Sequence, residues 1–182
     1  MKPIRSFLYA PGNRPKLIAK APEAGADAVM FDLADSVPVK EKDVARKLVS
    51  QAIAELRRRN LYIKLNDADS PRLVEDLDAV VTDGLCGVLL PNVSIPEEVR
   101  FLDHALAERE RMRGLPAGGI EVILLLESAA AILRVYELAT ASARIVSICL
   151  GTAEGGDLIR SLGSAWSLAG PERTYLRGRA LL

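Results

Sequence analysis

"FDLADSVPVKEKDVAR", residues 31–46, is the end of an apolar run that stops at a cluster of acids and continues as a basic, helix-forming segment. Asp32 and Asp35 at the end of such a run have two explanations. Asp35 or Ser36 opens a turn and caps the following helix, or a parallel sheet carries carboxylates at its mouth. Only the second requires the rest of the chain to repeat the pattern.

The pattern repeats. Short apolar runs occur at 4–10, 26–33, 61–65, 86–91, 120–127 and 143–151. Each precedes a segment of helical spacing, at about 14–24, 40–59, 70–82, 96–113, 128–140 and 157–163, with a further helix from about 172 to the end. Strands alternating with helices predict a parallel sheet with crossover helices. The runs are almost wholly apolar, as expected of strands covered on both faces. No linker or low-complexity tract divides residues 1–182, which read as a single domain.

Composition narrows the function classes. Lys plus Arg and Asp plus Glu number 24 each, so no overall field draws the chain to nucleic acid or to a membrane surface. No apolar stretch is long enough to span a bilayer, and "MKPIRSFLYAPGN" has the form of no secretory signal. Cys86 in "LCGVLL" and Cys149 in "IVSICL" read as buried thiols, which suits a reducing cytoplasm.

An open doubly wound sheet and a (β/α)8 barrel both fit this alternation. The first loop, "YAPGNRP", lacks GxGxxG, and GxxxxGK[ST] occurs nowhere. In either architecture the site lies just beyond the runs. Pro11, Gly12 and Asn13 follow the first; Asp32 and Asp35 end the second. Lys64 and Asn66 follow the third, Pro91 and Asn92 the fourth, Glu127 the fifth, and Glu154 and Asp157 the sixth. Carboxylates converging on one face suit a hard divalent cation such as Mg2+, although each acid taken singly serves equally well as a helix cap.

These residues carry a resemblance. "RSFLYAPGNRPKLIAKAPEAGADAVMFDLADSV", "KEKDVAR", "LPNV", "LLLESA" and "LGTAEGGDLIRSLG", in that order, resemble the citrate lyase β subunit-like group of the HpcH/HpaI aldolase family from Arg5 onward. The resemblance implies a (β/α)8 TIM barrel, of which this chain carries about six βα units and lacks the last two strands. It implies a Mg2+-dependent carbon–carbon lyase that cleaves a citryl- or malyl-like acyl-thioester to a 2-oxo acid and an acetyl-thioester. The thioester would be carried on coenzyme A or an acyl-carrier protein, in a homotrimer or hexamer, with or without other lyase subunits. By the same resemblance Glu127 and Asp157 are metal ligands, Glu127 also touches substrate, and Asp35 lies near the metal's waters. Lys64 stands where the family has a substrate-orienting arginine, and Arg5, Pro11 and Gly12 face the thioester. In such chemistry the metal polarises the oxo acid's carbonyl, and a cation at position 64 stabilises the acetyl-thioester enolate.

The departures from the family pattern also bear on function. Ala34 replaces a glutamate, and Lys64 keeps the charge of arginine without its planar fork. Asn92 stands where lysine is common. Gly155 and Gly156 lengthen the loop before Asp157, which makes Glu154 a competing ligand. These changes, with the short C-terminal part, keep two further readings open: a thioester hydrolase on the same scaffold, and a non-catalytic binding subunit. His104 reads as an exposed helical residue, "ERERMRG" (108–114) and "ELRRRN" (55–60) as solvated helix ends, and Trp166 and Tyr175 as packing for the terminal segment.

Overall fold

A computed structural model describes residues 3–56 and 60–181. Six strands form one parallel sheet in sequential order: β1 (Phe7–Pro11), β2 (Ala28–Asp32), β3 (Leu61–Lys64), β4 (Gly87–Leu90), β5 (Glu121–Leu126) and β6 (Ile145–Leu150). The helices are α1 (Pro15–Lys20), α2 (Lys42–Leu56), α3 (Arg72–Val80), α4 (Pro96–Arg113), α5 (Ala129–Leu133), α6 (Val135–Ala139), α7 (Asp157–Leu162) and α8 (Thr174–Leu181). Each crossover places its strand beside the previous one. With a single handedness for every crossover, that order stacks the helices on one face of the sheet and curves it in the manner of a TIM barrel. The expected runs and helices match these elements to within a few residues.

Side-chain alternation divides the core in two. Alternate residues such as Val29, Phe31, Ile63, Val88, Leu90, Leu124 and Leu126 pack against Val49, Ile53, Leu77, Leu102 and Leu106 of the helices. The intervening residues Ala28, Met30, Tyr62, Leu89, Ile123 and Leu125 form a smaller inner cluster without helical members. Each fully buried Leu, Ile or Phe contributes about 1.5–3 kcal/mol, so the larger outer layer supplies most of the stabilisation.

Local chemistry bounds the elements. Pro96 begins α4, where the Glu98 carboxylate accepts from the N–H groups of Ser94 (2.7 Å) and Ile95 (3.2 Å). Gly114 ends that helix in the left-handed region at φ 64°. The segment expected as one helix over 128–140 is two short helices, because the chain turns at Arg134, whose N–H is shared between Ala130 O and Ala131 O at 3.2 Å each. Ser128 caps α5 by accepting from the Ala131 N–H at 3.1 Å.

Three expectations are corrected. The runs are not all covered on both faces: Val146, Ser147 and Cys149 of β6 are exposed, and Cys86 is only half-buried. β6 has a strand on one side only, so its inner face lies at the opening of the curved sheet. The helix end 108–114 is not wholly solvated. Both Arg109 and Glu110 are buried: Arg109 donates to Asp78 (2.9 Å) and Ala105 O (3.0 Å), while Glu110 receives a fork from Arg144 (2.6 and 2.7 Å) and accepts from the Gly118 and Ile120 N–H groups. Tyr175 is exposed rather than packed. Trp166 does pack the terminal segment, donating to Thr152 O at 3.1 Å with Arg173 stacked 5.1 Å from its ring, and His104 is exposed as expected. Residues 57–59 of "ELRRRN" lie outside the described residues. Among the described residues, no helix is long and apolar enough to cross a membrane.

Candidate active site

The two acids of residues 31–46 divide the two explanations between them. Asp32 builds the turn: Oδ1 accepts from the Ala34 N–H at 2.6 Å and Oδ2 from the Ser36 N–H at 3.2 Å. The Gly12 N–H donates to Asp32 O at 2.8 Å, and a Cβ on Gly12 would meet that same oxygen, so the first loop needs glycine to lie against the second. Asp35, freed from capping, reaches across to the Lys64 ammonium at the end of β3. Strand register explains the meeting, since Asp32 pairs with Lys64 and Pro11 with Asp32. Three strand ends thus lie side by side at one mouth of the sheet.

These groups also act on one another electrostatically. Burial alone would lower the Lys64 ammonium, but the Asp35 hydrogen bond and the charges of Asp32, Asp35 and Glu127 outweigh it and hold it above the usual lysine value. Burial raises the Glu127 carboxyl. Lys64 pulls it back, Asp157 and Asp35 push it further up, and a hydrogen bond from the Asn92 backbone N–H opposes them. Asn92 has φ 51°, a left-handed conformation that asparagine tolerates better than most residues, and its side chain donates to Asp67 at 3.1 Å. Asparagine where lysine is common therefore suits the left-handed turn that follows β4.

The structure brings Lys64, Asp35 and Asp157 each within electrostatic reach of Glu127, with Pro11 and Gly12 at the neighbouring strand end. Asp157 opens α7, where its exposed carboxylate is engaged by Arg160 of the same helix. Glu154 is exposed on the preceding loop. Arg5 is not brought to this cluster. It precedes β1 at the opposite end of the sheet, and its backbone N–H donates to Asp27 at 3.0 Å.

Three contributors escaped the sequence reading. Tyr9, 46% exposed on β1, has its hydroxyl pushed up to about 12 by partial burial and by Cys149, Asp32 and Glu127. Cys149, part of it open to solvent, faces the same charges: partial burial and then Glu127 raise its thiol while Lys64 opposes. Gly151 lies so close to Glu127 that a Cβ would fall 2.8 Å from Cγ and 2.9 Å from Oε1. The available signal was alternation: Tyr9, Cys149 and Gly151 share the inward-facing parity of strands whose outer residues pack the helices.

The donor set fits a hard cation. Glu127 and Asp157 offer only oxygen, and the upward push on Glu127 from two neighbouring carboxylates marks negative charge that a cation would relieve. Among the described residues, no three His, Cys, Asp or Glu side chains are arranged to hold a metal by themselves. Mg2+ does not need three, since it is commonly held by one or two carboxylates and completes its octahedron with water and substrate oxygens.

The chain is similar to several known proteins. The family model described as HpcH/HpaI aldolase/citrate lyase matches residues 5–182. Citrate lyase subunit beta of Haemophilus influenzae is 33% identical over 179 residues, covering 97% of this chain and 60% of its own length. The L-malyl-CoA/beta-methylmalyl-CoA lyase of Cereibacter sphaeroides is 33% identical over 180 residues, covering 96% of this chain and 55% of its own. The citrate lyase beta subunit of Mycobacterium tuberculosis, complexed with oxaloacetate and magnesium, superposes with a TM-score of 0.75 at 25% identity over 97% of this chain and 71% of that one. CitE of the same organism, in complex with magnesium, acetoacetate and coenzyme A, gives 0.74 at 26% identity over 96% and 59%. The chain thus spans about 60% of the length of its citrate lyase relative in Haemophilus influenzae.

Proposed function

The chain belongs to the HpcH/HpaI aldolase/citrate lyase family, and from that premise we propose that it carries the metal and substrate site of a Mg2+-dependent carbon–carbon lyase. The substrate is a citryl- or malyl-like acyl-thioester on coenzyme A or an acyl carrier, cleaved to a 2-oxo acid and an acetyl-thioester. One observation carries this reading. The carboxylate of Glu127, raised by burial and by Asp157 and Asp35, stands at the same strand ends as a buried lysine.

Each residue then has a task. Glu127 and Asp157 would hold the ion through their carboxylate oxygens, with Asp157 free to leave Arg160 for it. Bound Mg2+ would supply Lewis acidity to the 2-oxo acid's oxygens. Asp35 orients water around the site and holds Lys64. Lys64, charged throughout the physiological range, stabilises the enolate charge that develops on the acetyl-thioester oxygen as the carbon–carbon bond breaks. The loop 11–13 beside Asp32 receives the thioester arm at this mouth, and Arg5, at the opposite end of the sheet, takes no part in it. We further propose a homotrimer or hexamer, since β1 and β6 each have one unpaired edge among the described residues. A cytoplasmic setting accords with two free cysteines.

Calorimetric titration with Mg2+ in the presence of oxaloacetate tests the site. Glu127→Ala and Asp157→Ala should each remove detectable binding, and Asp35→Asn should weaken it by about 10- to 100-fold. If Glu154→Ala abolishes binding while Asp157→Ala does not, the ligand on this loop is Glu154. If none of these substitutions changes binding, the carboxylates are helix and turn caps and the proposal fails.

A further inference from the structure

Behind the loop that carries Asp35, the Lys42 ammonium is buried with all three of its protons directed. It donates to Leu33 O at 2.6 Å, Ala34 O at 2.6 Å and Asn66 Oδ1 at 2.8 Å. Asn66 is fully engaged too. Its Nδ2 donates to Leu33 O at 3.1 Å and to Asp76 Oδ2 at 2.6 Å, and its backbone N–H donates to Asp76 at 2.9 Å. Asp76, wholly buried on α3, accepts in addition from Arg46 at 3.1 Å. A buried ammonium carries a heavy desolvation cost, and burial does lower Lys42 despite the charges of Asp76, Asp32 and Asp35. Ordinary loop anchoring would not require a charged group there.

The arrangement ties together both halves of the Lys64–Asp35 pair. Ala34, whose carbonyl Lys42 grips, directly precedes Asp35. Asn66, which accepts from Lys42, stands two residues after Lys64 on the extension of β3, and the Leu33 N–H donates to Lys64 O at 2.9 Å. Asp35 is itself exposed, its side chain 77% accessible, so beyond its pair with Lys64 its position depends on the turn that Asp32 closes and on what anchors that turn from behind. We propose that Lys42 is a positioning residue: its caged ammonium, with Asn66 and Asp76, sets the 33–36 loop against the end of β3, so that Asp35 is presented to Lys64 and to the candidate site. This rests on the reading of Asp35 and Lys64 given above and extends it to residues that touch neither substrate nor metal.

The test is a double-mutant cycle read by binding rather than turnover. Lys42→Met retains length and apolar bulk while removing the three donors. Titration of Mg2+ with oxaloacetate should show Lys42→Met weakened by about 10-fold or more, and adding it to Lys64→Met should cost little beyond Lys64→Met alone. Ile53→Ala, in the same helix and equally buried, lowers stability without reaching the loop, so its oxaloacetate affinity should match the wild type. If Lys42→Met fails to fold, Lys42→Gln keeps a donor for the two carbonyls and should show a smaller loss of the same sign. Wild-type affinity in a folded Lys42 variant, or losses that simply multiply in the double mutant, would overturn the inference and leave the site reading standing. Unchanged binding in Lys64→Met alone would overturn the inference together with the role given to Lys64.

Discussion

Replacing Gly151 by alanine adds one methyl group where the end of β6 passes Glu127. The new Cβ would lie 2.8 Å from Glu127 Cγ, 2.9 Å from Oε1 and 3.3 Å from Cδ. Carbon atoms rest comfortably at about 3.5–4.0 Å, so the Glu127 side chain must retreat by about 0.7–1.2 Å. All three contacts belong to one flexible side chain, and Gly151 is not among the left-handed glycines. The folding cost should therefore stay below the 1–3 kcal/mol of an overpacked core, at about 1 kcal/mol or less. Function should suffer far more. Mg2+ demands near-ideal octahedral ligands, and a misplacement of about 1 Å in a site costs up to about 100-fold. The Kd for Mg2+ in the presence of oxaloacetate should rise at least about 10-fold, or about 1.4 kcal/mol. Gly12→Ala supplies the contrast. Its Cβ would meet Asp32 O at 2.8 Å, Val49 at 3.0 Å and Leu33 at 3.1 Å, and a backbone oxygen cannot swing aside. That variant should lose about 1–3 kcal/mol, lowering Tm by about 2–4 °C for each kcal/mol. Thermal denaturation and calorimetric titration on both proteins decide the matter. A Gly151→Ala protein that binds Mg2+ like the wild type, or that melts as early as Gly12→Ala, refutes the placement of Glu127 as a ligand held by close approach.

Lys64→Met should weaken oxaloacetate binding or turnover while leaving Tm nearly unchanged; a wild-type binding isotherm would mark Lys64 as an ordinary strand-end lysine. Burial would raise the Glu110 carboxyl, but the Arg144 fork and the Ile120 and Gly118 N–H groups outweigh it and hold it below the usual 4.5, so the stability it contributes is complete above that value and fades as pH falls through the lower folded one. Glu110→Gln should cost about 3–5 kcal/mol at neutral pH, and melts from about pH 5 down to about pH 2 should show the wild type losing stability faster than the variant; parallel curves would contradict the shift. The unpaired edges of β1 and β6 predict sedimentation as an oligomer, whereas a monodisperse monomer at micromolar concentration would argue against subunit contacts there.

How much of this was legible beforehand depended on the distance over which each signal acts. Alternating apolar and helical segments specify parallel strands and crossover helices locally, so the six strands and the long helix α4 were readable directly, the latter to its last residue. The residues at strand ends followed from the same pattern, because a parallel sheet places all its carboxyl ends at one mouth. Roles within that mouth were less readable. Asp32 and Asp35 look alike in "FDLADSV", yet one closes a turn and the other meets a lysine from another strand. Lys42 reads as one more cation in a basic helix, and Arg144 as the start of an apolar run.

The sequence by itself determined the order of the elements, the faces that carry the core, and the list of groups that any site could draw on, since these depend on period and on near neighbours along the chain. Only the tertiary structure decided partners. Lys42 and Asn66 are separated by 24 residues, Lys64 and Asp35 by 29, and Arg144 and Glu110 by 34. Which charge meets which across such separations is set by strand register and by how closely the helices lie on the sheet. Burying an ion without a partner costs so much that the folded chain accepts these pairings together or not at all.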